Sequence, residues 1–74
     1  MNTDELDLHG IKHLSVKNKI DKFLWYNMNN KKSQVKIITG NSIRMKEIVF
    51  ECVKDYNMIV TESFFNPGIL VVTM

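Results

Sequence analysis

Residues 6–10 of the chain, LDLHG, carry an acid and an imidazole at strand spacing. If this segment is a β-strand, alternation buries its two leucines and turns Asp7 and His9 together to the opposite face. Cα atoms two residues apart on a strand are roughly 6.5–7 Å apart, so both side chains can touch one phosphodiester, or the carboxylate can tune the imidazole. Gly10 then permits a sharp turn. An ordinary strand with polar outward residues fits these five residues about equally well.

Residues 35–42, VKIITGNS, form a second candidate site, in which an apolar strand runs into a glycine ahead of an amphipathic helix. Backbone N–H groups and the helix dipole commonly bind an anion at such a turn. Asn41 or Ser42 is the predicted N-cap. Arg44 and Lys46 follow in the first turn, where the macrodipole disfavours cations. An anionic ligand explains these two residues, and a solvated pair of surface cations is the alternative.

The composition is typical of one globular domain over residues 1–74. Hydrophobic residues make up 45% of the chain and only one proline is present, which argues against disorder, and the longest apolar run is too short to cross a membrane. Residues 1–5 are polar and acidic, unlike a secretory signal, so we expect a cytoplasmic protein. The net charge of +2 permits a polyanionic partner without requiring one.

The first predicted helix is capped by Ser15 and runs to about Asn29, with an apolar stripe at helical spacing. Trp25 projects away from that stripe. We favour burial of this indole against a second contact, with base stacking as the alternative.

The second predicted helix has one unbroken apolar face and ends near Asn57, a candidate left-handed C-cap. Residues 58–65 and 69–73 follow as two β-rich runs, and the Pro-Gly turn between them predicts a hairpin. Cys52, the only cysteine, is assigned to the apolar face of this helix and given no chemistry. The residues of that face are Met45, Ile48, Val49, Cys52, Val53 and Tyr56.

The order β-α-β-α-β-β predicts an α/β fold, an α+β sandwich in which a four-stranded mixed sheet carries both helices on one face. Right-handed crossovers make the first two strands parallel, and ligands gather at the carboxyl ends of such strands. His9-Gly10 ends the first strand and Thr39-Gly40 ends the second. We therefore expect Asp7 and His9 to share one rim with the glycine turn, residues 39–42, and with Arg44, as a phosphodiester site would require.

At these residues the chain resembles the Smr family, the small MutS-related domain. Residues 6–10 match the Leu-Asp-x-His-Gly signature of the family, and residues 39–42 follow its Thr/His-Gly-x-Gly turn with Ser42 in place of the second glycine. The resemblance covers nearly the whole chain. It implies a fold similar to the C-terminal domain of bacterial translation initiation factor 3, nucleic-acid binding and, in several members, nicking or endonucleolytic cleavage of DNA or RNA.

The resemblance implies that Asp7 and His9 are the catalytic candidates and that Thr39, Gly40 and Ser42 form the binding turn. The residues that we expect to contact nucleic acid or its phosphates are Gly10, Lys12, His13, Thr39, Gly40, Asn41, Ser42, Arg44 and Lys46.

Three function classes follow from these residues. A nucleic-acid-binding module without turnover ranks first, and a phosphodiesterase in which His9 is the general acid or base and Asp7 orients it follows closely. A protein-interaction domain that uses a free sheet edge is the third. We expect no cofactor and no metal, because carboxylates do not converge near Asp7. The expected partner is RNA or DNA. Substrate choice is either supplied by a protein partner or absent, and no contact with a membrane is expected.

Overall fold

The computed structural model describes residues 4–74, so that residues 1–3 of the polar N-terminus lie outside it. The predicted order of elements is confirmed. The bounds are β1 Glu5–Asp7, α1 His13–Asn29, β2 Gln34–Ile38, α2 Ile43–Lys54, β3 Ile59–Glu62 and β4 Ile69–Thr73.

The four strands form one mixed sheet in the order β1-β2-β4-β3. β1 pairs with β2 in parallel, as the right-handed crossover predicts, whereas β4 is antiparallel to both β2 and β3. β1 and β3 are therefore the two edges of the sheet. The carboxyl ends of β1 and β2 lie side by side.

The core lies between one face of the sheet and the two helices. Val35 and Ile37 of β2 are buried while Gln34 and Lys36, which alternate with them, are exposed on the other face. The other side chains of this single buried cluster are Leu8, Val16, Ile20, Leu24, Met45, Val49, Cys52, Val53, Leu70 and Val72. Both helices thus cover the same face, which confirms the predicted α+β arrangement.

The α2 boundaries agree with the sequence. Ser42 is the N-cap, and its Oγ accepts the Met45 backbone N–H at 3.1 Å. Asn57 has a φ of 58°, the left-handed conformation predicted after the helix. Cys52 is buried on this helix, and its burial raises the pKa of the thiol.

The predicted start of α1 is wrong. The helix begins at His13 with Lys12 as N-cap, and no side chain caps it. The reason lies in the turn after β1, where Gly10 has a φ of 78° and the Ile11 N–H donates to the Leu8 carbonyl at 3.0 Å. This compact turn lets the helix begin two residues before Ser15.

Burial of Trp25 is also wrong, because its side chain is 68% exposed. The core-facing side of α1 is already filled by Val16, Ile20 and Leu24, and no second element covers the side that carries Trp25 in residues 4–74. The predicted strand 58–65 is shortened to β3, since pairing with β4 ends at Glu62. Within residues 4–74 no helix has the length and apolarity needed to span a membrane.

Candidate functional site

A depression of about 420 Å³ lies at the carboxyl ends of β1 and β2. Residues of both predicted segments, 6–10 and 35–42, line it. Ser42 contributes from the N-terminus of α2, and His13 contributes from the N-terminus of α1. His9 and His13 are the only histidines of the chain, and both line this depression. The predicted site residues around it are His9, Gly10, His13, Thr39, Gly40, Asn41 and Ser42.

The Asp7–His9 pair is connected through the main chain. Asp7 Oδ1 accepts the backbone N–H of His9 at 2.8 Å, and within residues 4–74 no hydrogen bond joins this carboxylate to the imidazole. Leu8 between them is fully buried, and its N–H donates to the Ile38 carbonyl at 2.8 Å. Both polar side chains are exposed, as alternation predicts, although His9 itself lies in the turn after β1.

His9 and the glycine turn are in contact range. A Cβ built on Gly40 would lie 3.8 Å from His9 Cδ2, so the imidazole lies beside the bare Cα of the glycine. Gly40 also has a φ of 67°, a conformation that side chains with a Cβ rarely adopt. The two motifs therefore form one local structure.

Two N–H groups of the glycine turn already have an acceptor within the chain. Those of Thr39 and Gly40 both donate to the Gly68 carbonyl, at 2.9 and 3.1 Å. The Thr39 hydroxyl is buried and donates to the carbonyls of Gly40 and Gly68, at 3.0 and 3.3 Å. These donors fix the β3–β4 loop rather than a ligand, so an anion must be held by the helix N-termini and by side chains.

Two helix N-termini face the depression. The first turn of α1 reads HLSV and that of α2 reads IRMK, and neither contains a carboxylate. The first N–H groups of a helix lack acceptors within the helix, and each N-terminus carries about half a positive charge. The depression is thus flanked by two positive helix ends and two imidazoles.

Asp7, which was predicted at the same rim, does not line the depression, and neither do the three predicted site residues Lys12, Arg44 and Lys46. Arg44 faces a neighbouring groove of about 340 Å³ between the helices and lies 3.8 Å from a Glu47 carboxylate oxygen. Lys46 reaches Glu62 of β3 at 3.6 Å, and its side chain is only 18% exposed. Lys12 is exposed at the start of α1. Arg44 and Lys46 point about 160° apart around the helix, so they cannot face one ligand together.

The sequence did not identify the contact between the β3–β4 loop and the glycine turn. Gly68 is buried, and a Cβ built on it would lie 3.3 Å from the Gly40 Cα. The Pro-Gly turn predicts only that the chain reverses there, and no local pattern states which part of the molecule it packs against. Within residues 4–74, His, Cys, Asp and Glu side chains form no cluster of three that could hold a metal ion.

No family model, curated protein or solved structure matches the chain. The likeness of residues 6–10 and 39–42 to the Smr signatures therefore stays a prediction from sequence.

Proposed function

We propose that this domain is a nucleic-acid-binding module of the Smr type, and that the depression between His9, His13 and Ser42 holds a backbone phosphate. The observation that carries the proposal is the convergence of two helix N-termini, both without a carboxylate in the first turn, on one depression. Helix ends of this kind favour anions, and nucleic acids are bound mainly through their phosphates.

The side chains around the depression supply suitable donors. The imidazole rings and the exposed amide of Asn41 carry N–H groups that can donate to a phosphate. Lys12 and Arg44 lie at the N-terminal ends of α1 and α2, and their positive charges attract an approaching polyanion.

The test introduces a carboxylate without harming the fold. Asn41→Asp adds a negative charge just before the Ser42 N-cap, where it interacts favourably with the macrodipole but repels a phosphate. We expect it to weaken binding of single-stranded RNA and DNA about fivefold, the effect of one unit charge near 4 Å in water, while thermal stability is kept or raised.

Asn18→Asp is the matched control, because Asn18 is exposed on α1 and the change in net charge is identical. Fluorescence anisotropy over a range of salt concentrations measures both variants beside the parent. Equal loss in the two variants indicates only a change in net charge, and an unaltered affinity for Asn41→Asp contradicts a phosphate in the depression.

Cleavage is the second candidate, and it is favoured by the presence of both histidines at one depression. In RNA the 2′-oxygen attacks the adjacent phosphorus and the bond to the 5′-oxygen breaks. One imidazole would accept the 2′-hydroxyl proton while the other donates a proton to the leaving 5′-oxygen, which leaves a cyclic phosphate and a free 5′-hydroxyl. This route places the nucleophile in the substrate.

The substrate panel separates the two candidates. Labelled single-stranded RNA should be cut in EDTA, and the same strand with 2′-deoxy nucleotides should bind without being cut. If the RNA remains intact after prolonged incubation with the parent protein, cleavage is contradicted and only the binding function remains. Equal cutting of RNA and the 2′-deoxy strand contradicts the proposed nucleophile.

A further inference from the structure

Phe64 and Phe65 are the most exposed aromatic side chains in residues 4–74. They are 92% and 90% exposed, and their ring centroids lie 5.1 Å apart with the rings at 80°. Two adjacent phenylalanines in water leave a large apolar area uncovered, and the core does not use either ring. The two rings therefore contribute little to the stability of the fold, and their exposure requires another explanation.

The loop that carries them is fixed to the candidate phosphate site. The buried Gly68 accepts the Thr39 and Gly40 N–H groups, and its own N–H donates to Asn66 Oδ1 at 2.9 Å. The Ile69 N–H also donates to the Asn66 carbonyl at 3.0 Å. Phe65 is three residues before Gly68, at most about 11 Å of chain from it. The hydrogen-bonded loop therefore carries both rings within a few residues of the Gly68–Gly40 contact at the edge of the depression.

We propose that Phe64 and Phe65 are a stacking platform for unpaired bases of a single strand whose phosphate lies in the depression. This inference rests on the proposed function and names its substrate class. A nucleic-acid strand carries flat aromatic bases along an anionic backbone, and this chain likewise carries two exposed rings on the loop that is hydrogen-bonded to the Thr39–Gly40 turn of the anion site. Base–aromatic stacking needs a free π-face and is tolerant of sequence.

Single strands are selected because the bases of a duplex already stack on one another and cannot cover a protein ring without leaving the helix. An apolar protein segment would also cover the two rings, but it carries no phosphate that could bind in the depression. An experiment can distinguish a protein segment from a nucleic-acid base at these rings. Contact with a protein requires only apolar area, whereas base stacking requires the aromatic ring.

The experiment measures anisotropy of labelled strands with the full chain. The ligands are a single-stranded deoxypyrimidine oligomer, an abasic strand of equal length and charge, and a duplex. We expect the Phe64→Ala/Phe65→Ala double variant to bind the base-bearing strand about 5-fold to 150-fold more weakly, the range for loss of one stacked base, and the abasic strand as the parent does.

Two further variants serve as controls. Phe64→Leu/Phe65→Leu keeps apolar area without rings and should lose affinity as the alanine pair does. Trp25→Ala removes the other strongly exposed aromatic residue, on the far part of α1, and should bind as the parent does. Thermal melts near that of the parent show that all variants are folded.

The outcomes separate this inference from the proposed function. Salt-dependent binding that is unchanged in the alanine pair overturns the platform and leaves the phosphate site standing. Full binding by the leucine pair, or a larger loss in Trp25→Ala, also overturns it. A parent protein that binds no strand at all overturns both proposals.

Discussion

The carboxylate of Asp7 acts on His9 through the main chain. Its bond to the His9 N–H fixes the turn that presents the imidazole beside Gly40. An asparagine at position 7 keeps an acceptor oxygen for this bond, whereas an alanine does not. The positioning effect of Asp7 can therefore be separated from its charge.

We expect His9→Ala to lower cleavage of single-stranded RNA by about 10²–10⁴-fold, the usual value of general acid–base assistance, and to weaken affinity much less, because only one of the donors around the phosphate is lost. Asp7→Ala should lose more activity than Asp7→Asn, because only the alanine removes the acceptor of the His9 N–H. Gel assays with identically purified proteins in EDTA give the rates. A His9→Ala protein that cuts at the parent rate contradicts a catalytic role for this imidazole.

At the residue scale, the sequence predicted the grouping of His9 with the glycine turn because both segments end parallel strands. It did not predict the directions of Arg44 and Lys46, which depend on angular position around α2 and on the ion pair with Glu62. It also did not show that the Thr39 and Gly40 N–H groups are satisfied by a distant loop.

The two helices are joined by a polar contact at Asp21 of α1. Tyr56, just beyond α2, donates its hydroxyl to Asp21 Oδ1 at 2.9 Å, and Lys17 Nζ donates to Oδ2 at 2.9 Å. The Lys17 hydrogen bond lowers the pKa of Asp21, and the Tyr56 bond acts in the same direction against partial burial. The pKa of Tyr56 is raised, first by burial and then by the bond to Asp21.

This contact makes stability pH-dependent. Because the pKa of Asp21 is lower in the folded chain than its ordinary value of 3.8, the carboxylate stabilises the fold above that value and the contribution is lost as pH falls through the folded pKa. We expect the melting temperature of Asp21→Asn to lie below that of the parent at pH 7 and to converge with it at the acidic end. Tyr56→Phe should show a smaller difference.

Circular dichroism melts between pH 7 and pH 2 measure this convergence. A constant gap between parent and Asp21→Asn at every pH would mean that the substitution acts through packing and not through the ionised carboxylate.

Element boundaries were predictable where local chemistry sets them. Ser42 caps α2 because its hydroxyl reaches the Met45 N–H, and such a bond can be anticipated from residue types alone. The start of α1 is set instead by the Gly10 turn, so a serine two residues inside the helix was mistaken for the cap. Trp25 was misplaced because helical spacing gives its direction but not whether another element lies there.

At the scale of the whole molecule, periodicity and crossover handedness predicted the class, the parallel β1–β2 pair and the covered face of the sheet. The strand order β1-β2-β4-β3 is not contained in these patterns, because a hairpin can join β2 through either of its strands. With β4 inside, the β3–β4 loop, which carries Phe64 and Phe65, packs through Gly68 against Gly40.

The single core makes the whole fold sensitive to one buried charge. Val49 of α2 is fully buried in the cluster between both helices and the sheet. We expect Val49→Asp to unfold the domain, because burying an unpaired carboxylate costs several kcal/mol against a total stability of about 5 kcal/mol for a chain of this size.

Ile43→Asp is the matched control on the same helix, because Ile43 is 75% exposed and lies in the first turn, where a carboxylate favours the macrodipole. It should melt at or above the parent temperature, although the added charge should weaken binding at the neighbouring depression. Circular dichroism and amide hydrogen exchange compare the two proteins. A cooperative melt of Val49→Asp near that of the parent would mean that α2 does not pack in the core as described.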